Sequence, residues 1–275
     1  FFIDESQRVT LKDIGSVEEI QKYIRQANAE SEIMELESQF RCNGSDGYIA
    51  WLDDVLEIRK TANSDGFDLD YDIKICDTPN EVRDIIFEKN KINNKARLLA
   101  GYCWDWIKDG KNKSDVFDIT IPEYDFAMSW NLGNSQTWAI DAESVNEIGC
   151  IHTAQGLEFD YVGVIIGNDL RYENGKIVTD VTERAKTDQS IKGIYKMAQQ
   201  DFNNAMKVAD EIIKNTYRTL MTRGQKGCYI YCTDKNLAEY LKSRLNQKDG
   251  ITYSVDEEET YELKVAEEGE EYRYE

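Results

Sequence analysis

The chain has 275 residues, 41% of them hydrophobic, and a formal charge of −20. That is long enough to bury a sizeable core in one large domain, or in one domain with an insertion. No apolar stretch approaches the ~20 residues that span a bilayer, and the N-terminus lacks the basic region and cleavage site of a signal peptide, so neither a membrane nor a secreted protein is indicated.

Six cysteines (Cys42, Cys76, Cys103, Cys150, Cys228 and Cys232) form no C-x-x-C pair, and His152 is the single histidine. This argues against a zinc site and against any mechanism needing two histidines. Cysteines within apolar strands, such as Cys228 and Cys232, read as buried small hydrophobes of a reduced, cytoplasmic protein. Phosphate contacts need clustered Lys and Arg, so the acidic balance excludes a generally basic nucleic-acid surface. Residues Asp256 to Glu275 hold ten acidic and two basic residues, which leaves −12 for the remainder. Any nucleic-acid groove is therefore local, or completed by another segment.

In chain order, Phe1-Phe2-Ile3 reads as a buried strand that stops at Asp4, and a start in mid-strand is read as a cut site. Ser16 and Glu19 form a capping box that opens a helix to about Ala29. Ile33 to Leu36 reads as a short strand, and Ile49, Leu52 and Leu56 mark an amphipathic helix. Tyr71, Ile73 and Ile75 alternate as a strand. Thr78-Pro79-Asn80-Glu81 then starts a helix over 79–90. Leu98 to Gly101 and Val116 to Ile121 read as strands beside a less regular region crowded with Trp104, Trp106, Trp130 and Trp138. Tyr161 to Ile166 is a β-branched run of the kind buried on both faces. A helical stretch follows from Gln189 to Met221, then a strand over 228–232 and a helix over 234–245. Strand and helix mostly alternate, which predicts an α/β domain with a parallel sheet covered on both sides. The expected organisation is one unit over 1–246, with an irregular Trp-rich insertion around 100–145, and an acidic tail over 247–275.

Four segments stand at the junctions of these elements. Asp4-Glu5-Ser6-Gln7 places a carboxylate and an amide after an apolar strand, at the carboxyl edge where α/β proteins bind ligands. Arg41 follows a strand beside Phe40. Thr153-Ala154-Gln155-Gly156-Leu157-Glu158-Phe159-Asp160 puts a small-residue turn before a buried strand, where backbone N–H groups approach an anion or a sugar. Thr222-Arg223 ends a helix that leads into a strand. Read singly, each has a plain structural explanation: an acidic loop, a surface ion pair, a turn, a cationic helix cap.

In order and spacing, however, the four resemble the third, fourth, fifth and sixth motifs of superfamily-1 helicases. The stretches beginning Phe1-Phe2-Ile3-Asp4-Glu5, Gln39-Phe40-Arg41-Cys42-Asn43 and His152-Thr153-Ala154-Gln155 look like hallmarks of the Schlafen group 3-like DNA/RNA helicase domains of bacteria, over Phe1 to about Asn246. The resemblance implies a RecA-like second motor domain, with helices on both faces of a mostly parallel sheet. It implies that Gln7 meets the γ-phosphate or its attacking water, and that Arg41 and Arg223 act as arginine fingers. Asp4, Gly156 and Glu158 would lie on the nucleotide side of the cleft, and Thr153 and Gln155 on the nucleic-acid side. ATP and Mg²⁺ are the expected cofactors of the full-length protein. No Gly-x-x-x-x-Gly-Lys-Ser/Thr occurs in the chain, so the expected partners are an N-terminal motor domain with the phosphate-binding loop, and single-stranded DNA or RNA. Asp4-Glu5 fits the third motif better than the Mg²⁺-holding second, because no further Asp-x-x-Gln strand precedes Arg41. Two other readings stay open: an ATP-dependent regulatory or defence switch without unwinding, and a motor-derived interaction module without catalysis.

Overall fold

A computed structural model describes residues 3–13, 16–34, 42, 46–60, 71–107, 116–131 and 137–246. The expected helices form where their caps place them. Helix α1 (Val17–Ala27) starts at Ser16, whose Oγ accepts from the Glu19 N–H at 3.1 Å, and stops at the left-handed Asn28. Helix α2 (Asp46–Val55) precedes strand β1 (Asp72–Ile75). Helix α3 (Pro79–Asn93) opens on the Thr78 hydroxyl and ends at left-handed Asn94. Strands β2 (Ala96–Ala100), β3 (Ile119–Ile121), β4 (Phe126–Trp130) and β5 (Glu147–Gly149) follow, then the single turn α4 (Ile151–Ala154) and strand β6 (Phe159–Ile166). A hairpin of β7 (Leu170–Glu173) and β8 (Lys176–Thr179) leads to α5 (Ile194–Gln200), α6 (Phe202–Met221), β9 (Gly224–Cys232) and α7 (Lys235–Asn246).

Seven strands form one sheet in the order β1-β9-β6-β2-β5-β4-β3, parallel throughout except for the β3–β4 pair. Its long centre is β6 on β9, in register from Val162 opposite Cys228 to Ile166 opposite Cys232. Side chains alternate between two apolar layers, as the pleat requires. Leu99, Val164, Cys228 and Ile230 share one layer with Leu52 of α2, Leu220 of α6 and Leu237 of α7. Leu98, Ile165, Tyr229 and Tyr231 share the other with Val82 and Ile86 of α3. Gly163 lets α3 come close, since a Cβ there would lie 2.5 Å from a Val82 methyl. The architecture is the expected α/β arrangement, consistent with a RecA-like fold.

Two sequence expectations are corrected. The helix over 189–221 is two helices, because Asp201 leaves the helical conformation (φ −149°, ψ 97°) and its carboxylate accepts from the Asn204 N–H at 3.0 Å, starting α6 afresh. Ile33 and Met34 are not in a strand and are 66% and 83% exposed; the remainder of that expected strand lies outside the described residues. Within the Trp-rich stretch, β3 lies inside the strand expected over 116–121, β4 joins the sheet beside it, and Trp130 and Trp138 are core.

Candidate functional site

Strands β6 and β9 run parallel, so the residues immediately before each lie at the same, amino-terminal edge of the sheet. Glu158 precedes β6 and Arg223 precedes β9, and the Phe159 N–H donates to the Arg223 carbonyl at 2.9 Å. The Arg223 guanidinium, 4% exposed, points back along α6. Its Nε donates to the Thr219 carbonyl at 3.1 Å and its Nη1 to the Leu157 carbonyl at 3.2 Å. Thr222 beside it is buried, and its carbonyl accepts a 3.9 Å contact from Cys42 Sγ. Arg41, the preceding residue and an expected finger, lies outside the described residues.

The loop from Gln155 to Glu158 links Arg223 to the N-terminal segment. Gln155 Nε2 donates to the Gln7 carbonyl at 3.5 Å, two residues before Leu157 meets Arg223. Gln7 sits in a one-turn 3₁₀ helix (Glu5–Gln7), and its side-chain amide donates to Asp4 Oδ2 at 2.7 Å. Ile3 and Asp4 are not in a strand, so the carboxyl-edge placement read for them from the sequence does not describe this turn. The turn instead lies on α6, where Asn215 Nδ2 donates to the carbonyls of Glu5 (3.4 Å) and Arg8 (3.1 Å). Val9 is fully buried in the same apolar layer as Leu220 and Met221, with Leu157 packed against it. Gln7 and Arg223 are therefore served by one face of the sheet.

Gly156 and Glu158 are exposed. Gly156 has φ +84°, a value that favours glycine, and a Cβ there would meet nothing within 4 Å, so its backbone faces open space. Thr153, by contrast, is 7% exposed, and its hydroxyl donates to Asn131 Oδ1 at 2.8 Å. Asn215 and Asn131 escaped the sequence reading. A lone Asn in mid-helix or after a strand gives no spacing signal, and its role is visible only through its partner.

The base of the loop is fixed by Asp160. Its Oδ2 accepts from Asn93 Nδ2 at 2.8 Å and from Lys226 Nζ at 2.7 Å, tying β6 to the end of α3 and to β9. Burial pushes its pKa up, but the Lys226 and Asn93 hydrogen bonds outweigh this and hold it below the usual carboxylate value. At the carboxyl edge of β6 lies a buried ion network. There Arg184, wholly buried, bonds Asp169 at 3.0 Å and Asp188 at 2.6 Å, and the Tyr217 hydroxyl donates to Asp169. Burial opposes the Arg184 charge, yet the two carboxylates prevail and raise its pKa above the ordinary guanidinium value.

The family model of the Schlafen group 3 DNA/RNA helicase domain matches residues 1–234, most of the chain and all four of the segments above. The chain belongs to the Schlafen group 3 DNA/RNA helicase domain family. This Schlafen group 3 domain is also 25% identical over 221 residues to an uncharacterized protein of Saccharomyces cerevisiae, an alignment that covers 75% of the chain and 47% of the relative. The chain thus spans about half the length of the curated relative it matches. No solved structure matches it. Membership makes this a helicase-like domain. Among the described residues no helix is long and apolar enough to cross a membrane, and no three His, Cys, Asp or Glu side chains are grouped to hold a metal ion.

Proposed function

We propose that the chain is one half of an ATP-driven DNA/RNA motor of the superfamily-1 type, which senses and stabilises the phosphates of a nucleotide cradled by a second α/β unit. The observation that carries this reading is the loop 155–158, which contacts Gln7 at one end and Arg223 at the other. ATP with Mg²⁺ supplies the free energy of phosphoryl transfer. Catalysis there is mostly positioning and charge stabilisation, so the useful groups are an amide that orients water and guanidinium groups that meet the developing charge.

The residues fit that nucleotide in part. Gly156 offers open backbone, and the guanidinium of Arg223 is held by carbonyl acceptors that a phosphate oxygen can replace. Gln7 presents an exposed turn stabilised through Asp4. In this reading Arg223 swings from the Thr219 and Leu157 carbonyls toward the nucleotide, and Arg41 approaches from the chain ahead of Cys42. The phosphate-binding loop and the principal Mg²⁺ ligands belong to the second unit, and single-stranded DNA or RNA passes near Gln155. Thr153 in this reading orients Asn131 and the loop rather than touching nucleic acid first.

The net charge of −20 favours a second reading, an ATP-dependent regulatory or defence switch with the same site and no unwinding. The two separate in one experiment on the full-length protein. A motor hydrolyses ATP faster with single-stranded DNA or RNA present, and binds it with a log–log salt slope of several units. ATP turnover indifferent to nucleic acid overturns the motor and leaves the switch.

A further inference from the structure

Helix α1 is sharply amphipathic, yet none of its eleven residues is buried. Val17 is 37% and Tyr23 67% exposed. Ile20 and Ile24, on the same stripe, are half-buried but belong to none of the three apolar clusters among the described residues. Ile3 is a further 39% exposed. Helices α3, α6 and α7 each bury side chains in those clusters. An apolar stripe of this kind ordinarily faces a core. The helix nevertheless has a fixed start: the Val17 N–H donates to Glu5 Oε1 at 3.0 Å, which anchors α1 to the turn carrying Gln7.

We propose that the Val17, Ile20, Tyr23, Ile24 stripe of α1, with Ile3, is the seat of the α/β unit that cradles the nucleotide. This rests on the motor reading for the identity of that unit. Four observations select it over other occupants. The stripe begins at the turn of Gln7, so a unit that presents a phosphate to Gln7 also meets α1. The yeast relative is about twice as long as the part this chain matches, enough for one more unit of similar size. Nucleic acid is a poor occupant, because α1 balances Glu18 and Glu19 against Lys22 and Arg25 and offers no basic patch. A second copy is disfavoured by area, since five side chains fall well short of the roughly 800 Å² per partner of a stable interface, whereas a unit in the same polypeptide docks at high effective concentration.

Hydrogen exchange of the α1 amides, in the 275-residue chain and in the full-length protein, tests the seat without reference to hydrolysis. The expected result is near-free exchange in the 275-residue chain and about 100-fold protection in the full-length protein. Ile20→Asp with Ile24→Asp should remove that protection while leaving the thermal melt of the 275-residue chain unchanged. Equal exchange in both proteins overturns the proposal, as does a gene product no longer than these residues. Protection that grows with concentration in the 275-residue chain, with a doubled sedimentation mass, overturns it in favour of a dimer. Protection in a full-length protein that hydrolyses no ATP upholds the seat and overturns the motor reading.

Discussion

At the scale of single residues, the site depends on side chains that hold backbone rather than on side chains that face solvent. Asp160 is the clearest case, because it joins three elements at the foot of the loop that reaches Gln7 and Arg223. Its folded pKa is lowered, so the stabilisation it gives is present above the unfolded value near ~3.9 and is lost as pH falls through the lower folded value. Asp160→Asn should cost about 1 kcal/mol at pH 7, a modest figure because the Lys226 end of the pair is exposed. The deficit should shrink as pH falls below the unfolded value and through the lower folded value, where Asp160 becomes neutral as well. Urea unfolding of the two proteins in a series from pH 7 downward measures it, and a deficit that does not shrink at any acid pH would show that Asp160 acts through shape and not charge. Thr153, Gly156 and Arg223 stand out in the sequence through the resemblance of their segments to helicase motifs, and their roles belong to the proposed function. Asn131 and Asn215 were not, since nothing in a linear sequence says which distant carbonyl or hydroxyl a lone amide will meet.

At the scale of elements, the end of α6 is held by α2. Asp53 of α2, 1% exposed, pairs with Arg218 of α6 and accepts from Arg59 Nε at 2.7 Å, and the Tyr48 hydroxyl donates to the Met221 carbonyl at 3.2 Å. This clamp sets where Thr222 and Arg223 leave the helix. Asp53→Ala removes the buried carboxylate that pairs with Arg218, and should cost about 3–5 kcal/mol in denaturant unfolding, whereas replacing both Asp53 and Arg218 with Met should cost far less. A loss under 1 kcal/mol in the single variant would show that water or another acceptor satisfies the Arg218 guanidinium. Helices α1 and α3 were legible because their capping residues are local. The β7–β8 hairpin was equally local, with Asn174 and Gly175 at φ 53° and 82° forming the two-residue turn between alternating strands, and the sequence reading passed over it. Asp201 was passed over for the opposite reason: apolar periodicity runs on through the break, and only the cap chemistry of Asp marks it.

At the scale of the molecule, strand–helix alternation and the unbroken apolar run of β6 sufficed to give a parallel sheet with two covered faces. In the far half of the sheet β3 was legible within the strand over 116–121, whereas β5 has only three residues and β4 lies in the Trp-rich stretch that masks its pattern. The arrangement places the buried Asp169–Arg184–Asp188 network at the carboxyl end of β6 and the 155–158 loop, with Gly156 facing open space, at the opposite edge. Arg223 is buried in this structure, and the proposed function has it turn outward onto a nucleotide. The most direct measurement is steady-state ATP hydrolysis by the full-length protein and its Arg223→Ala and Arg223→Lys variants, with nucleotide affinity and a thermal melt alongside. A finger that meets charge developing in the transition state predicts a loss of turnover on the order of 10³ in Arg223→Ala, a far smaller loss of affinity, and incomplete rescue by Lys, whose point charge lacks the planar fork. Wild-type turnover in a well-folded Arg223→Ala protein, with only about 1 kcal/mol lost in the melt, would reduce Arg223 to a helix cap and contradict the account.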